Sequence, residues 1–269
     1  MSIWILAYML SGVFAGFMAG LLGVGGGIIM VPMLLFIFEQ QGFVGGELIK
    51  TALGTSMSAI VFTSVSSFRV HNKLGNVRWD IFKQVFPGIV VGAVVGALIV
   101  THINIILLTA IFLVFVFYSA SNMMFDLTKV HPSRQLPGRL GQGIFGVVVG
   151  TLSFLLSAGG GFLTVPFLTW CNIDIRKAIG TSAALGFPIA VFGSIGYIIN
   201  GWGAPDRLEP SLGYVYLPAL LGIIVMSILF APIGAKTSQK IDAKPLKRIF
   251  AAILYLTAVK MLYNLIVAS

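Results

Sequence analysis

The chain has 269 residues, 58% of them hydrophobic and 9% charged, with a mean hydropathy of +1.01 and a net charge of +9. A soluble domain carries about a quarter charged residues to wet its surface, so this composition excludes a water-soluble globular fold and makes lipid the solvent. In such a chain the positive balance reflects basic cytoplasmic loops facing an anionic leaflet, with no nucleic-acid partner implied.

Ten apolar stretches recur, at about 3–22, 28–38, 52–68, 81–101, 103–125, 140–156, 162–171, 178–199, 213–234 and 246–267. Most approach the length needed to cross roughly 30 Å of hydrocarbon. They are solidly apolar rather than alternating, and lipid cannot satisfy free backbone groups, so helices are the expected spanning element. The expected fold is all-α and integral to a membrane. The first stretch, Ile3 to Leu22, lacks the charged leader of a secretory signal and is expected to remain as a span. Cys171, the single cysteine, excludes an intramolecular disulfide and a multi-thiolate metal site.

The chain repeats itself. Gly23-Val-Gly-Gly-Gly-Ile-Ile-Met-Val-Pro-Met-Leu34 returns as Ser157-Ala-Gly-Gly-Gly-Phe-Leu-Thr-Val-Pro-Phe-Leu168. Further on, Lys50-Thr-Ala-Leu-Gly-Thr-Ser56 is answered by Arg176-Lys-Ala-Ile-Gly-Thr-Ser182 in the same order. Two membrane repeats are expected, residues 1–127 and 140–269, each of five segments with the second segment short or re-entrant. Prolines and charges disfavour a span in Lys129-Val-His-Pro-Ser-Arg-Gln-Leu-Pro-Gly-Arg139, so residues 128–139 read as a linker.

Lys and Arg collect in loops that stay cytoplasmic. The segments around Arg69, Lys73, Arg78 and Lys83, around Lys129, Arg134 and Arg139, and around Lys236, Lys240, Lys244, Lys247 and Arg248 therefore read as inside. The turn Thr101-His-Ile-Asn104 and the loop from Asn200 to Gly213 read as outside. Equivalent loops fall on opposite sides in the two halves, so the repeats are expected to be inverted, as in many secondary transporters.

Three consecutive glycines in an apolar region oppose a helix by roughly 1 kcal/mol each relative to alanine. Irregular backbone at membrane depth is tolerated where it is buried in protein or lines a cavity. Gly25, Gly26 and Gly27, with Gly159, Gly160 and Gly161, are therefore expected to turn the chain and present amides at the start of a half-helix, which forms an anion site. Pro32 and Pro166 are expected in the first turns of the short helices, or as kinks. Gly54-Thr55-Ser56 and Gly180-Thr181-Ser182 offer hydroxyls and amides to an oxyanion, or else cap or back-bond their own helices. Lys50 and Arg176 stand ahead of these motifs, as electrostatic mouth residues or as interface anchors. The glycines of Val91-Gly-Ala-Val-Val-Gly96 read as helix packing, and Gly92→Ala is expected to be nearly silent.

No Asp or Glu is read deep within a stretch, and His71, His102 and His131 fall in loops or at stretch ends. Parts for a catalytic triad, a metal cluster or a cation-binding carboxylate are missing. No catalytic residue, metal or cofactor is expected. The partners are a small anion and the bilayer, and the coupling ion and oligomeric state are left open.

The paired GxGGGxxxxP-like segments at Gly23 to Pro32 and Gly159 to Pro166, with the GTS motifs that follow, resemble those of the TauE/SafE, or sulfite exporter, family across essentially the whole chain. The resemblance implies a permease for sulfite, sulfoacetate or other organosulfonates in the plasma membrane of a bacterium or archaeon. An anion channel with the same site, or a transporter of another small organic anion, is the alternative. Ser157 and Ala158 stand where the first copy has Gly23 and Val24, so the two half-sites need not contribute equally.

Overall fold

A computed structural model describes residues 2–23, 25–43, 47–125, 135–204, 208–239 and 244–268, with the side chains of 2, 244–247, 250 and 264–268 not described. Val24, linker residues 128–134, Arg207 and Lys240 lie outside the described residues, as do the side chains of Lys244 and Lys247.

Each apolar stretch coincides with a helix. In order they are α1 (Ser2–Leu22), α2 (Gly27–Gln40), α3 (Leu48–Lys73), α4 (Trp79–His102), α5 (Ile105–Phe125), α6 (Arg139–Leu156), α7 (Gly161–Trp170), α8 (Ile175–Asn200), α9 (Leu217–Thr237) and α10 (Lys244–Ala268). Among the described residues seven of these are long and apolar enough to cross a bilayer. The chain is an all-α integral membrane protein. The ninth stretch departs from expectation at its start, where β1 (Ser211–Leu212) and β2 (Val215–Tyr216) form an antiparallel hairpin that delays α9 to Leu217. Gly213, at φ 57, makes the turn.

Two elements are short, as expected. α2 has 14 residues and α7 has 10, so at 1.5 Å per residue they reach about 21 and 15 Å, less than a bilayer core. Pro32 and Pro166 sit inside them, beyond the first turn.

Lipid supplies no hydrophobic drive between helices, so close backbone packing through small residues must hold the bundle. α1 lies along α9 through glycines: a Cβ on Gly12 would stand 2.5 Å from the Ile223 carbonyl oxygen, and one on Gly16 2.6 Å from the Ser227 Cα. α6 lies along α4 in the same manner, with Gly146 against Val85 and Gly150 against Ile89. The innermost helices are α3 and α8, whose most apolar windows are 72% and 67% buried, against 28% to 50% for the other long helices. They cross antiparallel, Gly54 near Tyr197 and Gly186 near Ser64.

Helix directions follow from the contacts. α3 runs alongside α9, since Thr55 meets Tyr216 and Ser66 meets Ile228, and alongside α1, since His71 meets Gly20. α8 runs alongside α4, since Thr181 meets Arg78 and Asn200 meets Ala97. Surfaces invert the soluble pattern: Val94 and Leu98 of α4, Leu140 and Ile144 of α6, and Leu221 and Leu229 of α9 are exposed, while Thr55, Ser56, Thr181 and Ser182 are fully buried. That arrangement suits a protein whose outer solvent is hydrocarbon.

One substitution that reads as silent in the sequence meets a close backbone contact in the structure. A Cβ on Gly92 would strike the Val147 carbonyl and lie 2.8 Å from the Thr151 amide nitrogen. The contact is with backbone and cannot give way by a rotamer change. Gly92→Ala is therefore expected to destabilise the α4–α6 pair by about 1–3 kcal/mol, seen as a lower Tm in detergent. Gly143→Ala on the adjoining α6 meets nothing within 4 Å and should leave Tm unchanged or raise it, because alanine is the better helix former by about 1 kcal/mol.

Candidate functional site

The two triple-glycine segments meet at the centre of the bundle. Gly25 lies back to back with Gly159, so that a Cβ on Gly25 would sit 2.7 Å from the Gly159 Cα. Gly27 is pressed onto the carbonyl oxygen of Ser157, and a side chain there would overlap it. Gly25 and Gly26 both have φ 79, and Gly160 has φ 76, in the left-handed region that glycine enters freely. Gly26 and Gly160 are the N-cap residues of α2 and α7 and offer no side-chain cap.

Each half-helix thus begins beside the other's turn with its first amides open. The carbonyl of Gly26 accepts from Ile29 and Met30, and that of Gly160 from Leu163 and Thr164. For the amides of Gly27, Ile28, Gly161 and Phe162 no acceptor is found among the described residues. Three buried hydroxyls are also open. Ser56, Ser153 and Ser157 are buried with no hydrogen-bond partner, and a Cβ on Gly160 would come 3.5 Å from Ser153 Oγ. Open amides at a helix N-terminus, in surroundings with few charges, suit an anion.

The GTS motifs have a different immediate task. α3 begins at Leu48 and α8 at Ile175, so the amides of residues 54–56 and 180–182 are already within helices and are not offered to a ligand. The hydroxyl of Thr55 accepts the Tyr216 amide at 2.9 Å, and that of Thr181 accepts the Arg78 amide at 3.0 Å. Tyr216 and Arg78 are the N-cap residues of α9 and α4. Gly54 and Gly180 admit the chain just before these caps, each Cβ position lying 2.5 Å from a carbonyl oxygen, of Tyr214 and of Asn76. Ser182 donates to the carbonyl of Gly23 at 2.9 Å and fixes the entry to the first glycine turn. Ser56 alone among the four hydroxyls is left unpartnered.

The residues that carry this geometry also carry the relationships of the chain. Residues 8–261 match the family described as Sulfite exporter TauE/SafE. The chain belongs to that family. Similar over nearly their full length are a probable membrane transporter protein of Haemophilus influenzae, 36% identical over 96% of this chain and 98% of its own, and one of Methanocaldococcus jannaschii, 28% identical over 93% and 92%. A third, from Bacillus subtilis, is 28% identical over 86% of this chain and 89% of its own. No solved structure matches. As a member of the TauE/SafE family the chain is a multi-pass membrane transport protein and not an enzyme.

The charged residues of this family member have distinct settings. Lys50 is paired with Glu47 at 3.0 Å and lies 5.6 Å from the centre of the Tyr214 ring, so its charge is compensated. Burial, with Glu47 beside it, raises the pKa of the Tyr214 hydroxyl well above its usual range and keeps the ring neutral. Arg176 is exposed at the start of α8. Lys260, overlooked within the last apolar stretch, pairs with Glu39 of α2 at 3.0 Å and stands 4.1 Å above Phe36. The lone charge in residues 249–267 marked it. His71 is fully buried in the last turn of α3, its Nε2 3.0 Å from the Gly20 carbonyl oxygen. Among the described residues no cluster of His, Cys, Asp and Glu could hold a metal ion.

Thr55→Val and Thr181→Val keep the shape of the side chain but strand a cap amide, buried at Tyr216 and part-buried at Arg78, which costs about 1–3 kcal/mol. Each variant is expected to lower Tm, and Thr→Ser at either position to restore most of it. Unchanged unfolding of both valine variants would show that the two hydroxyls do not hold α9 and α4.

Proposed function

We propose that this chain is a secondary transporter of small sulfur oxyanions or organosulfonates, working by alternating access between two inverted repeats, residues 1–127 and 140–269, joined by a cytoplasmic linker at 128–139. The observation that carries this reading is the pair of half-helix N-termini, at Gly27–Ile28 and Gly161–Phe162, whose amides find no acceptor among the described residues where the two glycine turns cross. A small anion placed there gains charge-assisted hydrogen bonds of about 1.5–3 kcal/mol each, in place of the water it gives up. Ser56, Ser153 and Ser157 supply further donors. A cation would find poor terms, since Glu39 and Glu47 are each bound to a lysine.

Inversion is supported by how the halves exchange partners. α1 packs on α9 as α6 packs on α4, and Thr55 holds the cap of α9 as Thr181 holds the cap of α4. α3 and α8, equivalent in sequence, run antiparallel. Two such halves about a common centre can close one side while opening the other. The sulfur chemistry rests on the family, whose description names sulfite.

Uptake into proteoliposomes tests this directly. Labelled sulfite or methanesulfonate should enter saturably and be concentrated against its gradient when a driving gradient is imposed, and uncharged methanesulfonamide should not compete. Unsaturable, strictly downhill flux would mean a channel. Stabilisation by metal cations or neutral solutes and by no sulfonate would end the anion assignment. Ser56→Ala, which removes an unpartnered hydroxyl, should raise KM roughly fivefold for a loss of about 1 kcal/mol, with Tm preserved. Single cysteines at Ser133 and Ser211 on a Cys171→Ser background should label from opposite faces. Labelling from one face would refute inversion.

A further inference from the structure

The two repeats place different side chains at equivalent positions beside the crossing turns. Aligned on the GTS motifs, Met57 and Ile60 of α3 correspond to Ala183 and Gly186 of α8, and Ser64 and Ser67 of α3 correspond to Ala190 and Gly193 of α8. One end of the α3–α8 seam is consequently loose. There Ser64 and Ser67 face Ala183 and Gly186 across a narrow crevice, closed on its third side by Ala19, Gly23 and Gly25. The other end is filled. Met57 is fully buried and lies on Gly193, three of its side-chain atoms being 2.8 to 2.9 Å from where a Cβ would stand, while Ile60 seals Gly25 and Gly27.

Two further observations point to a ligand in the crevice. Ser67 is 1% exposed, yet its hydroxyl has no hydrogen-bond partner, an arrangement that leaves a buried donor unused. The helix ends that frame the crevice are cationic: Arg69 and Lys73 end α3, and Arg176 and Lys177 begin α8. The acidic residues there, among those described, are Asp174, which caps α8 through the amides of Arg176 and Lys177, and Asp80, bound to Arg78 at 2.6 Å. Such a rim concentrates anions over cations. In the present state the crevice admits no water, so an ion passes only when α3 and α8 separate.

We propose that this crevice is the passage by which a sulfonate or similar oxyanion reaches the crossing turns from the cytoplasmic face, with Ser67 as a donor along the way, and that Met57 on Gly193 is the plug of the opposite passage. The proposal rests on the transport reading given above. Methionine suits a plug because its unbranched, flexible chain can leave one packing position for another. Serine suits the passage because its hydroxyl donates to an oxyanion without fixing it by charge.

The test is thiol accessibility in membrane vesicles of known sidedness, with Cys171→Ser as background. Ser67→Cys is treated with an anionic sulfonatoethyl methanethiosulfonate or with its cationic trimethylammonioethyl analogue. After correction for reactivity towards a small free thiol, the anionic reagent should react roughly tenfold faster from the cytoplasmic face, as steering by the rim requires. Ala190→Cys, at the filled end, should resist reagents from the outer face and become reactive when Met57→Ala is added. Equal rates for the two reagents at Ser67→Cys, no reaction from the cytoplasmic face, or reactivity of Ala190→Cys with Met57 intact would each overturn the proposal. If Ser67→Cys does not accumulate, Ser67→Ala decides by transport: a severalfold rise in KM for methanesulfonate is expected, and an unchanged KM rejects the passage. Failed labelling with intact sulfonate uptake by the wild type removes the passage alone. Charge-selective labelling without sulfonate uptake removes the assigned substrate and keeps the passage.

Discussion

The architecture depends on one close approach: the backbone of Gly25 against Gly159, with Gly27 on the Ser157 carbonyl. No side chain fits between them, which is why both copies carry glycine. With the turns in contact, α2 and α7 both start beside the crossing. At the same place the first amides of both half-helices find no acceptor among the described residues. A crossing made of side chains would have filled that place.

Around the crossing the halves are tied to each other rather than each to itself. Thr55 of the first half holds the cap of α9 in the second, and Thr181 of the second holds the cap of α4 in the first. Ser182 reaches across to Gly23. Glycine contacts between α1 and α9, and between α4 and α6, complete the exchange. The N-caps of α4 and α9 are therefore each tied to the helix that bears the GTS motif of the other half.

Much of this was legible in the sequence, and the exceptions have definite causes. Three glycines at matching places in an apolar region carry their own explanation, because helix propensity alone would have removed them. The helices could be read because lipid forbids alternatives. The task of Thr55 and Thr181 could not be read, since their partners lie 161 and 103 residues away and are backbone amides. Gly92 looked interchangeable with alanine because nothing in its neighbourhood records how near the Val147 carbonyl stands. Ser64 and Ser67 do recur at helical spacing along α3, a pair of polar residues within an apolar stretch that could have marked the proposed passage. The hairpin before α9 was hidden because Gly213–Tyr216 is as apolar as the helix it precedes.

The shortness of α7 also bears on how the protein is made. Ten residues are too few for a helix to be retained across a bilayer by its own hydrophobicity, and its open N-terminal amides are costly in hydrocarbon. α7 therefore depends for its place on protein contacts, with α8 the helix it packs on. Chain order and order of support differ at this point, since a later helix provides the seat for an earlier one.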